Sequence, residues 1–314
     1  RATEQRLPSV EMLDLRKYRL RSGEDLSAPL VSALEVALSK GQQAVLLYNR
    51  RGFSRYLQCQ DCGEVTHCRH CSIAMTVHHS PRRLLCHYCG HQRSLPNECP
   101  KCLGSRLREQ GSGTEHLELE LAQRLPQAKI LRMDRDTTQR QGSHGDLLTT
   151  FGRGEADILL GTQMVAKGLD FPNVTLVGVI GADQGLHLPD FRAAERTLQL
   201  LVQVAGRAGR GQEPGRVLLQ AMDASQPIFD FARRHDYPGF LEYERELRRA
   251  LRYPPFCRLG RLLLSSEDEQ AVQASAQQLS QWFSGHSNAN LEVLGPSACP
   301  LEKIQGFFRW HFLF

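Results

Sequence analysis

No run of about 20 apolar residues occurs in the 314-residue chain, so nothing in it is composed to cross a bilayer as a helix. The first residue is Arg1, and no charged, apolar and small-residue leader follows it. A secretory signal is therefore not expected, and processing or truncation would account for the missing start. There is no low-complexity tract and no internal repeat beyond a set of short cysteine pairs. Disulfides are not needed for stability, because a chain of this length makes roughly two domains that each bury a core. Hydrophobic residues at 41% with charged residues at 23% describe a soluble globular protein.

Ten cysteines are present, and eight of them form four Cys-x-x-Cys pairs: Cys59/Cys62, Cys68/Cys71, Cys86/Cys89 and Cys99/Cys102. Two residues between thiols let both sulfurs reach one tetrahedral ion, so four pairs make two four-thiolate zinc sites. Of the three ways to combine the pairs, the nested one is favoured. Cys68, Cys71, Cys86 and Cys89 then close a hairpin, and Cys59, Cys62, Cys99 and Cys102 clamp its base. Four thiolates per ion leave no open position for a catalytic water, so the sites read as structural. His67, His70, His78, His79, His87 and His91 lie near enough to replace a thiolate, and Cys-x-x-Cys also serves redox dithiols. Cys257 and Cys299 read as ordinary buried thiols.

Formal charge is +5, while residues 50–110 hold ten Lys or Arg against four Asp or Glu. Eight thiolates and two zinc ions would bring that segment from +6 to +2 and the chain to +1, so charge supports nucleic-acid binding only weakly. Arg50, Arg51, Arg55, Arg69, Arg82 and Arg83 with Phe53, Tyr56 and Tyr88 still offer cations and stacking faces for a single strand, or a merely solvated surface. The run Arg245, Arg248, Arg249 and Arg252 poses the same choice.

Helical periodicity over residues 26–38 gives way to an apolar run at 44–48. Residues 114–125 and 193–205 read as helices; 129–133, 157–161, 174–180 and 216–220 read as short apolar strands. Such strands alternating with helices predict an α/β fold with a parallel sheet covered on both faces. The cysteine segment is an insertion after the first strand. From about residue 225 the pattern becomes helices at 226–234 and 240–251, a strand at 259–265, a helix at 268–283, and strands at 291–294 and 307–314. That predicts an α+β C-terminal domain, truncated at its apolar end. The expected boundaries are 1–58 and 103–224 for the α/β lobe, 59–102 for the zinc insertion and 225–314 for the C-terminal domain.

The run Gln203-Val204-Ala205-Gly206-Arg207-Ala208-Gly209-Arg210 has the form Q-x-x-G-R-x-G-R and follows an apolar helix. Arg207 and Arg210 are two permanently charged forks beside glycines that allow close backbone approach, which suits stabilisation of a transferring γ-phosphate. A second run, from Gly161-Thr162-Gln163 through Lys167-Gly168-Leu169-Asp170-Phe171, comes directly off a strand, and ligands of open α/β sheets gather at strand carboxyl ends.

These runs resemble motifs VI and V of helicase superfamily 2, and residues 44–54 are similar to its motif IV. The likeness is closer to the bacterial replication-restart helicases, through Asn49-Arg50-Arg51-Gly52-Phe53, the four cysteine pairs in place, and Asp190-Phe191-Arg192-Ala193-Ala194-Glu195-Arg196. It covers nearly the whole chain. What it implies is the second RecA-like lobe of a bacterial, cytoplasmic, monomeric 3′ to 5′ DNA helicase that restarts stalled forks and nucleates primosome assembly. Implied partners are branched and single-stranded DNA, primosome proteins and single-stranded DNA-binding protein, with no membrane. Thr162 and Gln163, with Arg50 and Arg51, would contact DNA. Gly168, Asp170 and Gln203 would face nucleotide, and Arg207 and Arg210 would be the catalytic γ-phosphate arginines. ATP with Mg²⁺ would be bound jointly with a first lobe. Neither G-x-x-x-x-G-K-[ST] nor a D-E-x-H or D-E-x-D box occurs in these residues, so the chain alone is expected to bind ATP weakly and not hydrolyse it. The competing reading is a non-catalytic zinc-ribbon adaptor for nucleic acid or protein.

Overall fold

The computed structural model describes all residues except 1–6, 19, 21–23, 50–55, 60, 63, 72, 80–81, 87–88, 90, 111–113, 135–136, 138–142, 163–164, 166–170, 189, 210–212 and 287–290. In chain order the elements are β1 (Ser9–Asp14), α1 (Ala28–Ser39), β2 (Gln43–Tyr48), β3 (Tyr56–Cys59), β4 (Thr76–His79), β5 (Arg82–Leu85), β6 (Gln92–Arg93) and β7 (Leu107–Gln110). There follow α2 (Thr114–Arg124), β8 (Ile130–Met133), α3 (Ser143–Gly152), β9 (Ile158–Gly161), β10 (Val174–Ile180), α4 (Ala193–Ala205) and β11 (Arg216–Ala221). Last come α5 (Pro227–Arg234), α6 (Tyr237–Ala250), β12 (Arg261–Ser266), α7 (Glu269–Gly285), β13 (Leu294–Ile304) and β14 (Phe307–Leu313). No helix among the described residues is long and apolar enough to cross a membrane.

The chain divides into two compact units. The first comprises residues 1–52 and 112–246. Its sheet has the order β1-β11-β10-β2-β9-β8 with every neighbouring pair parallel. Every residue of β2 and β9 is buried, which is why those strands read as unbroken apolar runs rather than alternation. On one face, Leu30 and Leu34 of α1 and Leu117 and Leu121 of α2 pack on Leu46, Ile158, Leu160 and Leu218. On the other, Phe151 of α3, Leu198, Leu201 and Val204 of α4 and Phe229 of α5 pack on Val45, Leu159, Val177 and Leu219.

Polar side chains fix the loop that enters α1. Gln220 of β11 accepts from the Ser27 amide at 2.9 Å and its hydroxyl at 2.6 Å, and returns a bond to the Asp25 carbonyl at 2.8 Å. Glu120 of α2 accepts from the amides of Asp25 and Leu26 at 2.9 and 3.2 Å. Both receptors are buried, so each replaces a hydrogen bond that water cannot reach.

Residue 225, the expected start of the C-terminal domain, precedes the division of the compact units at 246/247. Ile228, Phe229, Ala232 and Phe240 are buried in the core of the parallel sheet, so α5 and the start of α6 belong with the lobe. Two lobe elements carry no clear sequence signal. Among the described residues β1 pairs only with β11, at the sheet edge, and α3 has the composition SHGDLLTTFG, poor in helix formers, yet is held by Leu148 and Phe151.

The second unit comprises residues 53–111 and 247–314. Its first part is an antiparallel sheet of order β6-β5-β4-β3-β7, whose β4–β5 hairpin is the one expected between the inner cysteine pairs. Its second part is an antiparallel sheet of order β12-β14-β13 with α7 against it, Phe283 meeting Phe312 and Phe314 edge-on at 5.3 Å. The strand expected at 291–294 begins instead at Leu294 and runs to Ile304. Pro296 and Pro300 hide it from a propensity reading, and its edge position, with register shifts along its pairing to β14, is what lets prolines stand there.

Candidate functional site

In three of the Cys-x-x-Cys pairs a backbone amide points at the first sulfur. Asp61, His70 and Lys101 donate their backbone N–H to Cys59, Cys68 and Cys99 Sγ, each at 3.4 Å. Tertiary folding then brings together Cys59, Cys62, Cys99 and Cys102 in one cluster and Cys68, Cys71, Cys86 and Cys89 in another, each with its four sulfurs within 4.8 Å of one another. This is the nested pairing. The Sγ···Sγ separations of 3.6 Å for Cys59–Cys102, 3.7 Å for Cys62–Cys99 and 3.6 Å for Cys68–Cys89 are far beyond the disulfide length of about 2.05 Å. They match the edge of about 3.8 Å of a tetrahedron with Zn–S bonds of about 2.3 Å. The donor set and its spacing thus fit zinc. Among the described residues both clusters are built from cysteine alone, and His70 packs edge-on to His91 at 5.1 Å instead of joining one.

Burial pushes the Cys68 thiol up to about 12 and the Cys71 thiol up to about 11 when no metal is bound. At neutral pH those sulfurs carry protons that a metal must displace. The amide of Cys102, followed by that of Lys101, pulls Cys99 down to about 7. Around the outer cluster, Arg106 Nε donates to Asp61 at 2.6 Å and Lys101 pairs with Glu64 at 3.2 Å.

A third group, Asp25, His116 and Glu120, also has metal-ligand composition. The carboxylate of Glu120 already holds two backbone amides and faces Arg124 at 3.5 Å, so it acts as a loop clamp. Of the proposed strand-binding residues, Arg82 and Arg69 are exposed, while Arg83 is half-buried and donates to Gln92 at 3.0 Å. Phe53, Arg55, Tyr88 and His87 lie outside the described residues. The Cys299 thiol is buried beside His311 Nδ1 at 3.1 Å, whereas Cys257 is only half-buried and bonds the Arg252 carbonyl.

In the lobe, Thr162 follows β9 at its carboxyl end, half-buried, and its carbonyl accepts from Val165 at 3.1 Å. Gln203 is exposed on α4, and Arg207 is half-buried just past it, its amide bonded to Val204 O at 3.0 Å. Gly209 donates to Val174 O at 3.0 Å, which fastens this loop to the first residue of β10. Gly161 and Val179 share the partner Leu47, so Thr162 is level with the far end of β10. Six residues of strand, roughly 20 Å, separate that level from Val174. Thr162 thus stands at the carboxyl end of its strand, whereas Arg207 lies level with the amino end of β10, because the connection from a helix into a parallel strand lands at the strand's amino end. The run between Thr162 and Phe171 links the two levels, with Val165 packed near Gly161 and Phe171 bonded to Val174 at 3.1 Å. Gln163, Gly168, Asp170, Arg210, Arg50 and Arg51 lie outside the described residues.

Gly215 lies outside the Q-x-x-G-R-x-G-R run, yet its backbone packs against that run. A Cβ on Gly209 would fall on its backbone, and one on Gly215 would fall on Ala208 and Gly209. In the sequence Gly215 is marked by the step Pro214-Gly215 directly before β11.

An all-parallel six-stranded sheet with helices on both faces, carrying a Q-x-x-G-R-x-G-R loop and a four-knuckle insertion after β2, defines the second RecA-like lobe of a helicase with a zinc-ribbon module. The family model described as "Helicase conserved C-terminal domain" matches residues 109–212, "PriA DNA helicase Cys-rich region (CRR) domain" matches 68–93, and "Primosomal protein N C-terminal domain" matches 249–314. The replication restart protein PriA of Bacillus subtilis is 46% identical over 306 residues, which is 97% of this chain and 38% of that protein. Those of Synechocystis sp. and Chlamydia muridarum are 38% and 37% identical, over 98% and 97% of this chain and 38% and 41% of their own lengths. The chain belongs to the PriA replication restart family. It spans about two fifths of the length of these relatives. Among solved structures, RecG bound to a three-way DNA junction superposes with a TM-score of 0.40 at 14% identity, over 77% of this chain and 22% of that one, a likeness too low to carry an argument.

Proposed function

We propose that the chain supplies the second motor lobe, a two-zinc module and a C-terminal domain to an ATP-dependent 3′ to 5′ DNA helicase that acts at stalled replication forks and nucleates primosome assembly. The observation that carries this reading is the fastening of the Arg207 loop to the amino end of β10, level with one end of the sheet, while Thr162 stands at the other. A run of ten residues joins the two ends. In such a lobe Arg207 and Arg210, with Gln203, Gly168 and Asp170, face ATP and Mg²⁺ shared with a partner lobe, and Thr162 and Gln163 face the DNA strand. Movement of the run transmits nucleotide state to the strand.

Each four-cysteine cluster holds one zinc ion. Zinc supplies a rigid centre that organises the short strands of the module, and the cysteines keep it fully coordinated. Arg50 and Arg51, between β2 and the module, contact DNA. The substrates are branched and single-stranded DNA, the partners are primosome proteins and single-stranded DNA-binding protein, and the protein acts as a monomer in the bacterial cytoplasm.

The test uses the full-length protein. Arg207→Ala is expected to lower DNA-stimulated ATP hydrolysis about 10³-fold, the usual weight of an arginine finger, with fork binding within about twofold of wild type. The isolated 314-residue chain is expected to show no such hydrolysis. Unchanged ATPase and unwinding in Arg207→Ala would favour the zinc-ribbon adaptor instead.

A further inference from the structure

In three of the knuckles a sulfur takes a backbone N–H from within its own knuckle: Asp61 donates to Cys59, His70 to Cys68 and Lys101 to Cys99, each at 3.4 Å. Cys71 departs from the pattern. The amide of Ile73 is directed to the Cys71 carbonyl at 2.8 Å, not to its sulfur. The Cys71 sulfur is served instead by the backbone N–H of Gln305, 234 residues away, at 3.2 Å.

Gln305 and Gly306 form the two-residue turn between β13 and β14, flanked by the paired residues Ile304 and Phe307. Both have positive φ, +53° and +92°, the mark of a type I′ hairpin turn. Glycine suits the second position, but glutamine at the first is held in a conformation that side chains rarely adopt. Such a residue persists where its surroundings over-determine it. Here they do so three times. The Gln305 amide bonds Cys71, the Gly306 amide bonds the His70 carbonyl at 2.7 Å, and Ile304 packs on the apolar cluster of the cysteine module that contains Cys68, Cys71 and Cys86. All of these residues lie in one compact unit.

We infer that the β13–β14 turn is an outer-shell part of the Cys68/Cys71/Cys86/Cys89 centre, so that the metal there fastens the C-terminal domain to the cysteine module. The physical reason is charge. Four thiolates around a divalent ion leave two net negative charges, and amides aimed at sulfur stabilise them. An amide lent by a distant turn is bound tightly only while that charge is present. By linkage, whatever the turn adds to metal retention the metal adds to docking of the turn. Among the described residues, the amides that bond sulfur in the Cys59/Cys62/Cys99/Cys102 centre, those of Asp61 and Lys101, come from its own knuckles, so that centre is a control within the same molecule.

The inference rests on zinc occupancy, and the experiment separates the two. Zinc per chain is first counted in the intact 314-residue protein; a content near zero would overturn the zinc reading itself. Release of zinc to a chromogenic chelator is then followed in wild type, in Gln305→Pro, which removes the donating N–H and excludes positive φ, and in Gln305→Gly, which keeps the N–H and relieves φ. Cys99→Ser assigns the phases. Gln305→Pro is expected to speed release from the Cys71 centre about 10- to 100-fold, the usual weight of an outer-shell partner, with the other centre and Gln305→Gly unchanged. Hydrogen exchange on unmutated protein supplies the reciprocal readout: protection of the Gln305 and Gly306 amides should fall when the Cys71 centre is emptied and not when the other is. Bound zinc with equal release from both centres in Gln305→Pro, or amide protection indifferent to zinc, would overturn the fastening.

Discussion

The amide of Gly209 donates to the carbonyl of Val174 at 3.0 Å, and this one bond sets the level at which Arg207 stands relative to the sheet. Gly209 has φ of +72°, and a Cβ there would meet the backbone of Gly215. Two independent costs therefore fall on any side chain at this position. Gly209→Ala is expected to lose about 1–3 kcal/mol of lobe stability in urea unfolding, against less than about 0.5 kcal/mol for Gly145→Ala, whose Cβ would meet nothing within 4 Å. Equal losses at the two positions would argue against the fastening of the loop.

Glu120 makes a second mechanical claim. Its carboxylate is the buried acceptor for the amides of Asp25 and Leu26, and burial raises its pKa above the ordinary value despite those bonds. Glu120→Ala strands two amides and is expected to cost about 2–3 kcal/mol, while Glu120→Gln, which keeps an acceptor and removes the buried charge, should cost less than half of that. Thermal unfolding of both variants measures the difference.

Zinc retention should depend on pH. Metal-free Cys68 and Cys71 hold their protons up to about 12 and about 11, so metal binding must release protons and apparent affinity rises with pH. Acidification from about pH 8 to about pH 5 is expected to release zinc from both centres, followed by the chelator assay. In full-length protein, Cys86→Ser with Cys89→Ser should reduce zinc from two to one per chain and impair unwinding or partner loading more than ATP hydrolysis. Equal loss of all three would mean that the zinc centres hold the lobe itself together.

The C-terminal domain carries a pH response of its own. Burial, and then the positive charges of Arg261 and Arg309, hold His311 below the ordinary imidazole value of 6.5. A depressed histidine binds fewer protons in the folded state than in the unfolded one. Its contribution to stability is therefore complete above pH 6.5 and is lost as pH falls from there through the folded value. The ring resonances of His311 should titrate below 6.5; a midpoint at or above it would contradict the burial seen here.

The residues that carry chemistry along the chain were legible where contacts are local. Two-residue spacing of eight cysteines announces metal, unbroken apolar runs at 44–48 and 174–180 announce buried parallel strands, and the glycines after Gln203 announce a loop that leaves α4. Periodicity records which way each side chain points, and that depends on neighbours a few residues away. Strand β1 escaped, and β13 reads as 291–294 instead of 294–304, because edge position, not composition, makes these segments strands, and position in a sheet is not written in any one segment.

Which cysteine pairs share a metal was narrowed by loop length but decided by the antiparallel sheet that folds Cys99 and Cys102 back to Cys59 and Cys62. That Thr162 and Arg207 stand at opposite ends of the sheet follows from strand direction and register, which only parallel pairing across β9, β2 and β10 creates. The Gln305 amide on Cys71 is the extreme case. A backbone N–H has no residue identity for a sequence to display, and its partner is reached by closing a loop of 234 residues, so only the tertiary fold could make that contact visible.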